Sequence, residues 1–187
     1  AVIAPEALGG GWHHLAAVLG TDLSMTLYVD AEAVASGVAK GFPGRPKSTL
    51  TLGGSSASFA GEGSPTPYSG LLDQLIIHHR PLDAAGILER FARPEILPDS
   101  ETALLCTFDR GDARDESGNG TNGISTGVDS GKGRAGAALW FRAAAAPVAA
   151  GGRKAKGKDK GKAAGPGKDS YVEHKWETYV PIVTRAM

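Results

Sequence analysis

Gly70-Leu71-Leu72-Asp73-Gln74-Leu75-Ile76-Ile77-His78-His79-Arg80-Pro81-Leu82 is the stretch whose reading decides the fold. It opens on a glycine, runs through Leu and Ile, and closes on a proline that leads toward a short helix. In an extended chain Leu71, Asp73, Leu75, Ile77 and His79 share one face, and Leu72, Gln74, Ile76 and His78 the other. Both faces are apolar in the middle. The expectation is a central strand covered on both sides.

Upstream, Trp12-His13-His14-Leu15-Ala16-Ala17-Val18-Leu19 reads as a strand, and Gly20-Thr21-Asp22 as a turn. Met25-Thr26-Leu27-Tyr28-Val29-Asp30 alternates, with Met25, Leu27 and Val29 on one face, which predicts a hairpin partner. Ala33 to Val38 and Ser48 to Leu52 are further strands, separated by the loop Pro43-Gly44-Arg45-Pro46. Residues 55–69 carry Ser, Gly and Pro and read as a long surface loop. Downstream of Pro81, Asp83 is placed to cap a helix from Ala84 to Phe91, with Ile87, Leu88 and Phe91 as its apolar face. Pro94 and Pro98 end it.

Residues 103–142 form a second block, with strands at Leu104–Phe108 and Ala138–Phe141 around a loop rich in Gly and Asp from Asp109 to Gly136. From Ala143 the composition changes. Residues 153–168 hold seven basic side chains and one acid, Asp159, a net of +6. The whole chain is formally neutral, so the remainder is net −6. With almost nothing to bury, 143–169 reads as a disordered Lys/Gly/Ala linker, and 170–187 as the start of a further domain. Many short strands and one short helix predict an all-β, antiparallel β-sandwich or barrel.

Composition removes several function classes. The single cysteine, Cys106, excludes an internal disulfide framework and a cysteine metal cluster, and reads as a small buried hydrophobe. No apolar run reaches the roughly 18–20 residues of a membrane span. The sequence has no initiating Met and no signal peptide, and is expected to be an internal segment of a larger protein. No Gly-x-Ser-x-Gly and no phosphate loop occurs. The lysine run lacks interleaved aromatics, so it reads as a soluble tether with no specific nucleic-acid partner.

The ordered set Trp12-His13-His14-Leu15-Ala16-Ala17-Val18, Leu27-Tyr28-Val29-Asp30, Leu52-Gly53-Gly54, Gly70-x-Leu72-Asp73-x-Leu75-x-Ile77 and Arg80-x-Leu82 resembles the laminin-G-like, concanavalin-A-like jelly-roll superfamily of bacterial extracellular proteins. The resemblance implies a jelly-roll sandwich, with residues 1–98 as its C-terminal part. It gives Trp12, His14, Tyr28, Asp30, Gly70, Asp73 and Arg80 structural roles. Three positions depart from the pattern: Ala31 for the glycine of the hairpin turn, Gln74 for an acid, and His78 for an aromatic. Residues 99–142 resemble the N-terminal strands of the same fold, through Phe108 to Gly120 and Gly133-x-x-Gly136-Ala137-Ala138-Leu139-x-Phe141. They either start a second jelly roll or complete the first in permuted order. Trp176 to Met187 resembles the beginning of a β-propeller domain.

Three candidate sites follow. Asp109, Asp112, Asp115 and Asn119 offer hard oxygen ligands for calcium, although the spacing is not that of an EF-hand. The alternative is turn chemistry, with these side chains bonding nearby backbone N–H groups. His13-His14 and His78-His79 invite a zinc reading, but adjacent strand residues point to opposite faces and nothing supplies a third ligand. Asp73 lacks the second carboxylate that glycoside hydrolysis needs, and is expected to be held by backbone N–H groups or by Arg80. Tyr68 and the 55–69 and 109–120 loops are the expected ligand contacts.

The functional expectation is a non-catalytic module that binds carbohydrate or protein in a secreted or cell-envelope, multidomain protein. The alternatives are a glycoside hydrolase of the same fold with its catalytic strand upstream, and a purely structural spacer.

Overall fold

The structure is a computed structural model. It describes residues 2–42, 49–53, 68–95 and 97–142, together with the backbone of Tyr171–His174. The Pro43–Pro46 loop, the 55–69 loop up to residue 67, the lysine-rich stretch and the propeller-like end lie outside the described residues.

Eleven strands and one helix are described, and every strand pairing is antiparallel. The fold is the all-β sandwich with one short helix that the sequence predicts. A meander comes first: β1 (Leu15–Leu19), β2 (Ser24–Val29) and β3 (Glu32–Val38), paired in that order. Val29 pairs with Glu32, so Asp30 and Ala31 alone make the β2–β3 turn. Both are left-handed, at φ 51° and 69°, as a turn that matches the twist of the strands requires. Ala31 carries a Cβ into that conformation. Ala31→Gly is therefore expected to stabilise the domain by about 1 kcal/mol, which thermal denaturation reads as a melting temperature about 2–4 °C higher.

The deciding stretch is not one strand. It divides into β5 (Gly70–Leu72) and β6 (Leu75–His78), β4 being Leu50–Leu52. Gln74 adopts φ 52°, which breaks the period-2 alternation that the sequence suggested. Each half then finds its own partner. β6 pairs with β7 (Thr102–Cys106), and β5 is an edge strand on β10 (Ala137–Phe141). The expectation of a central strand covered on both faces is corrected accordingly.

The loop expected from Asp109 to Gly136 contains two further strands, β8 (Gly123–Thr126) and β9 (Asp129–Lys132). Their sequences are too polar to announce a strand. They are recruited by the ladders of their neighbours. β9 pairs with β10, and β8 with the backbone of β11 (Tyr171–His174), which also pairs with β4.

Asp83 caps α1 (Ala84–Ala92), its carboxylate accepting from the Gly86 N–H at 2.8 Å. Only Ile87 of the expected apolar face is buried; Leu88 and Phe91 are exposed. Through Ile87 the helix packs with Ala16 and Leu82.

Two apolar clusters result. The larger joins Ile77, Ala103, Leu104, Cys106, Phe108, Ala113, Leu139 and Phe141, with Leu72 and Leu75 packed against it. Each fully buried Leu or Phe here stabilises the fold by roughly 1.5–3 kcal/mol. Close packing is strict at Gly53 (φ 75°), where a Cβ would overlap the Phe141 ring. The smaller cluster holds Ala16, Leu82 and Ile87, with Val18, Tyr28 and Ala31 against it.

Candidate functional site

The acidic loop after β7 is built around one inward carboxylate. Asp115 is buried, and its Oδ1 accepts from the N–H groups of Leu105 and Ser117. Its Oδ2 accepts from the N–H and the hydroxyl of Thr121, at 2.9 and 2.7 Å. Burial pushes this carboxyl up, and the hydrogen bonds from Ser117 and Thr121 outweigh it, holding Asp115 below the ordinary carboxylate range. Asn119 donates from Nδ2 to the carbonyls of Thr102 and Ala103, both at 3.0 Å, and fastens the loop to β7. Asp112 accepts from the Arg114 N–H, and Asp109 from the Ala137 N–H at 2.7 Å.

Asp109, Asp112 and Asp115 do not gather. Among the described residues no three His, Cys, Asp or Glu side chains converge as a metal site. Local turn bonds hold Asp112 and one oxygen of Asp115, whereas Asp109 and Asn119 are engaged by backbone groups far along the chain. The melting temperature is expected to be the same in millimolar calcium and in chelator. A rise with calcium would show that the four oxygens regroup around the ion.

Tyr68 is half-exposed but committed. Its hydroxyl donates to the Leu71 carbonyl at 2.7 Å, and its ring meets Phe141 edge-on at 5.7 Å. A Cβ at Gly70 would stand 2.7 Å from that hydroxyl, which is why glycine opens β5. Cys106 is fully buried, and burial among Asp115, Glu116 and Asp112 pushes its thiol up to about 12, so it is inert near neutral pH.

The other expected structural residues converge elsewhere. Asp30 accepts from His13 Nδ1 and from the His14 N–H, each at 2.8 Å. Tyr28 packs on the smaller cluster, and the His14 ring lies 5.9 Å from that of Phe91. Trp12 is exposed. Asp73 Oδ2 accepts from the Ala135 N–H at 2.8 Å, so a backbone group holds it and not Arg80, which is exposed at the surface.

Trp12, His13, His14, Asp73, His78 and Phe91 all line one cleft of about 330 Å³ between the two apolar clusters. Leu72 and Leu75 bound it on one side, and Ala16, Leu82 and Ile87 on the other. Four of its lining side chains carry buried polar atoms without a partner. Neither ring nitrogen of His78 has a hydrogen-bond partner, nor has His14 Nδ1, His13 Nε2 or Asp73 Oδ1. Burial lowers the pKa of His14, against the pull of Asp30. Burial, helped by Arg90, Arg80 and His79 and opposed by Asp99, takes His78 down to about 4. Burial also raises Asp73, against the N–H groups of Ala135, Arg134 and Gln74. Buried ionisable groups with shifted equilibria in an apolar hollow mark a candidate binding site.

The sequence reading named most of these residues separately and did not assemble them. The cleft exists because the chain bends at Gln74, and the one available signal was the polar pair Asp73-Gln74 inside an apolar run.

Comparison with curated proteins and with solved structures finds no match. Among the described residues no helix is long and apolar enough to cross a membrane. A family model, that of the concanavalin A-like lectin/glucanases superfamily, matches residues 2–88, the segment that holds the meander, the bent strand and the capped helix.

Proposed function

We propose that the chain is a non-catalytic module that binds a carbohydrate or protein ligand in the cleft between β1, α1 and the β5–β6 bend. Laminin-G-like domains are often modules of this kind. The carrying observation is the cleft itself: apolar walls, Trp12 exposed beside it, and polar side chains from two separate segments of the chain, His13-His14 and Asp73 to His78, in its lining. Asp73 is the only carboxylate among its lining residues. Glycoside hydrolysis uses a second at roughly 5–10 Å, which favours binding over turnover.

The domain reading rests on the ladders. β5 and β6 hydrogen-bond to β10 and β7, which supports residues 99–142 as completing the sandwich of residues 1–98. Residues 143–169 then act as a basic tether between β10 and β11, which pairs with β4 and β8. Placement in the cell envelope or outside the cell accords with the family, whose members are typically extracellular.

The test is an array of neutral and acidic glycans beside a displayed peptide library, probed with the native chain and with Trp12→Ala. Saturable binding that the variant weakens about tenfold is expected, the worth of one lost stacking contact. No binding on either platform beyond that of Trp12→Ala overturns the reading in favour of a spacer. Release of reducing sugar from a polysaccharide overturns it in favour of an enzyme.

A further inference from the structure

The chain has two asparagines, Asn119 and Asn122, and a glycine follows each. An Asn-Gly pair carries its own reaction. With no side chain in the way, the glycine nitrogen can reach the asparagine carboxamide carbon and close a five-membered imide. The closure needs two freedoms. The asparagine side chain must swing over the following peptide, and the nitrogen of that peptide must be free to give up its proton.

The fold grants these freedoms unequally. The Gly123 N–H donates to the Ala113 carbonyl at 2.8 Å, and Gly123 opens β8, which pairs with β11. Just before Asn122, Thr121 is buried and bonded twice to Asp115 Oδ2. Asn122 Oδ1 itself accepts from the Asp115 N–H at 3.0 Å. The peptide at Asn122 therefore opens only together with the ladder and the Asp115 bonds. At the other pair, the Gly120 N–H donates no hydrogen bond among the described residues. Gly118, Asn119 and Gly120 are exposed, and a Cβ on either glycine would meet nothing within 4 Å. Asn119 is held by bonds from Nδ2 to the Thr102 and Ala103 carbonyls, each 3.0 Å, and to Ser117 Oγ at 3.1 Å, with its own N–H on the same Oγ at 3.3 Å. A turn of exposed residues between two glycines opens at small cost.

We propose that Asn119 is a site of spontaneous deamidation, and that the reaction unfastens the acidic loop from β7. In the first step the Gly120 nitrogen bonds to Asn119 Cγ and the Cγ–Nδ2 bond breaks. Ammonia leaves with the proton that the nitrogen gave up. Water then opens the imide. Cleavage between the Gly120 nitrogen and Cγ leaves an aspartate, and cleavage at the backbone carbonyl carbon leaves an isoaspartate, with the main chain running through the side chain. Either product puts a carboxylate where Nδ2 donated, with no hydrogen for the Thr102 and Ala103 carbonyls and a negative charge against both. Asn119 is thus a fastener that does not close again once it has reacted. Conversion of Asn122 to aspartate would keep an acceptor for the Asp115 N–H.

The experiment holds the full chain at mildly alkaline pH for weeks, beside a sample unfolded in guanidinium chloride. Trypsin releases Asp115 to Lys132 as one peptide that carries both asparagines, and fragmentation in the mass spectrometer assigns conversion to each. In the folded chain Asn119 is expected to convert at least about tenfold faster than Asn122, the factor for one hydrogen bond that must break first. In guanidinium chloride the two convert at similar rates. Asn119→Asp, which reproduces one product, is expected to melt about 4–8 °C below the native chain, and Asn122→Asp within about 2 °C of it. If Asn119→Asp does not fold, the melting temperature of the aged native chain, falling in step with conversion at Asn119, takes its place.

Conversion of Asn122 at an equal or higher rate in the folded chain overturns the assignment of the site. So does an unreacted Asn119 in the folded chain while the unfolded sample reacts to completion. A native melting temperature in Asn119→Asp overturns the unfastening.

Discussion

Asp115→Ala is expected to destabilise the domain by roughly 3–5 kcal/mol, because three backbone N–H groups of Leu105, Ser117 and Thr121 lose their acceptor in a site closed to water. The Thr121 hydroxyl loses its bond as well. The loop also covers β7, all five residues of which are buried, so its release uncovers the largest apolar cluster. Urea denaturation reads the effect as a lower midpoint. Asp112→Ala, which removes a single bond to the Arg114 N–H, is expected to cost about 1 kcal/mol or less. Similar costs for the two variants would remove Asp115 from the centre of this loop.

Acid is expected to unfold the chain in two stages, and His78 sets the first. Its pKa is 6.5 in the unfolded chain and about 4 in the folded one, so the unfolded state takes up the proton first as pH falls. The stability it contributes is complete above 6.5 and is lost progressively between 6.5 and 4. A shift of this size is worth about 3 kcal/mol. Asp115 follows, since its depressed pKa gives stability that is present above 3.8 and lost as pH falls below it. His78→Leu is expected to abolish the first stage and to leave the neutral protein unchanged or about 1 kcal/mol more stable, because two unpartnered nitrogens go with the ring. Denaturant titrations at pH 7, 5 and 4 check this. An unchanged slope in the variant would move the acid sensitivity to another group.

These two residues also show how far the sequence could be read. The alternation of Met25, Leu27 and Val29, the capping Asp83 and the continuous run Leu104-Leu105-Cys106 are local signals, and local signals placed β2, α1 and β7. Asp115 was legible as a turn acid, but its ties to Leu105 and Thr121 depend on which strand the loop folds against. His78 looked like half of a metal pair. That its ring shares a cleft with His13, His14 and Asp73 follows from a left-handed Gln74, which no propensity announces. The strands β8 and β9 stayed hidden for a related reason: polar sequences extend only because a ladder is waiting for them.

The bent strand also carries a consequence for biosynthesis. Asp73 and the Ala135 N–H that holds it are 62 residues apart in sequence. At a translation rate of about 5–20 residues per second, the ribosome needs roughly 3–12 seconds to deliver one after the other. During that interval Gly70 to Leu72 lack their β10 partner, while β6 waits only for the nearer β7, next to a meander that can already close on itself. A chaperone that shields short apolar strands would act here, and release from it would coincide with the emergence of Ala137 to Phe141.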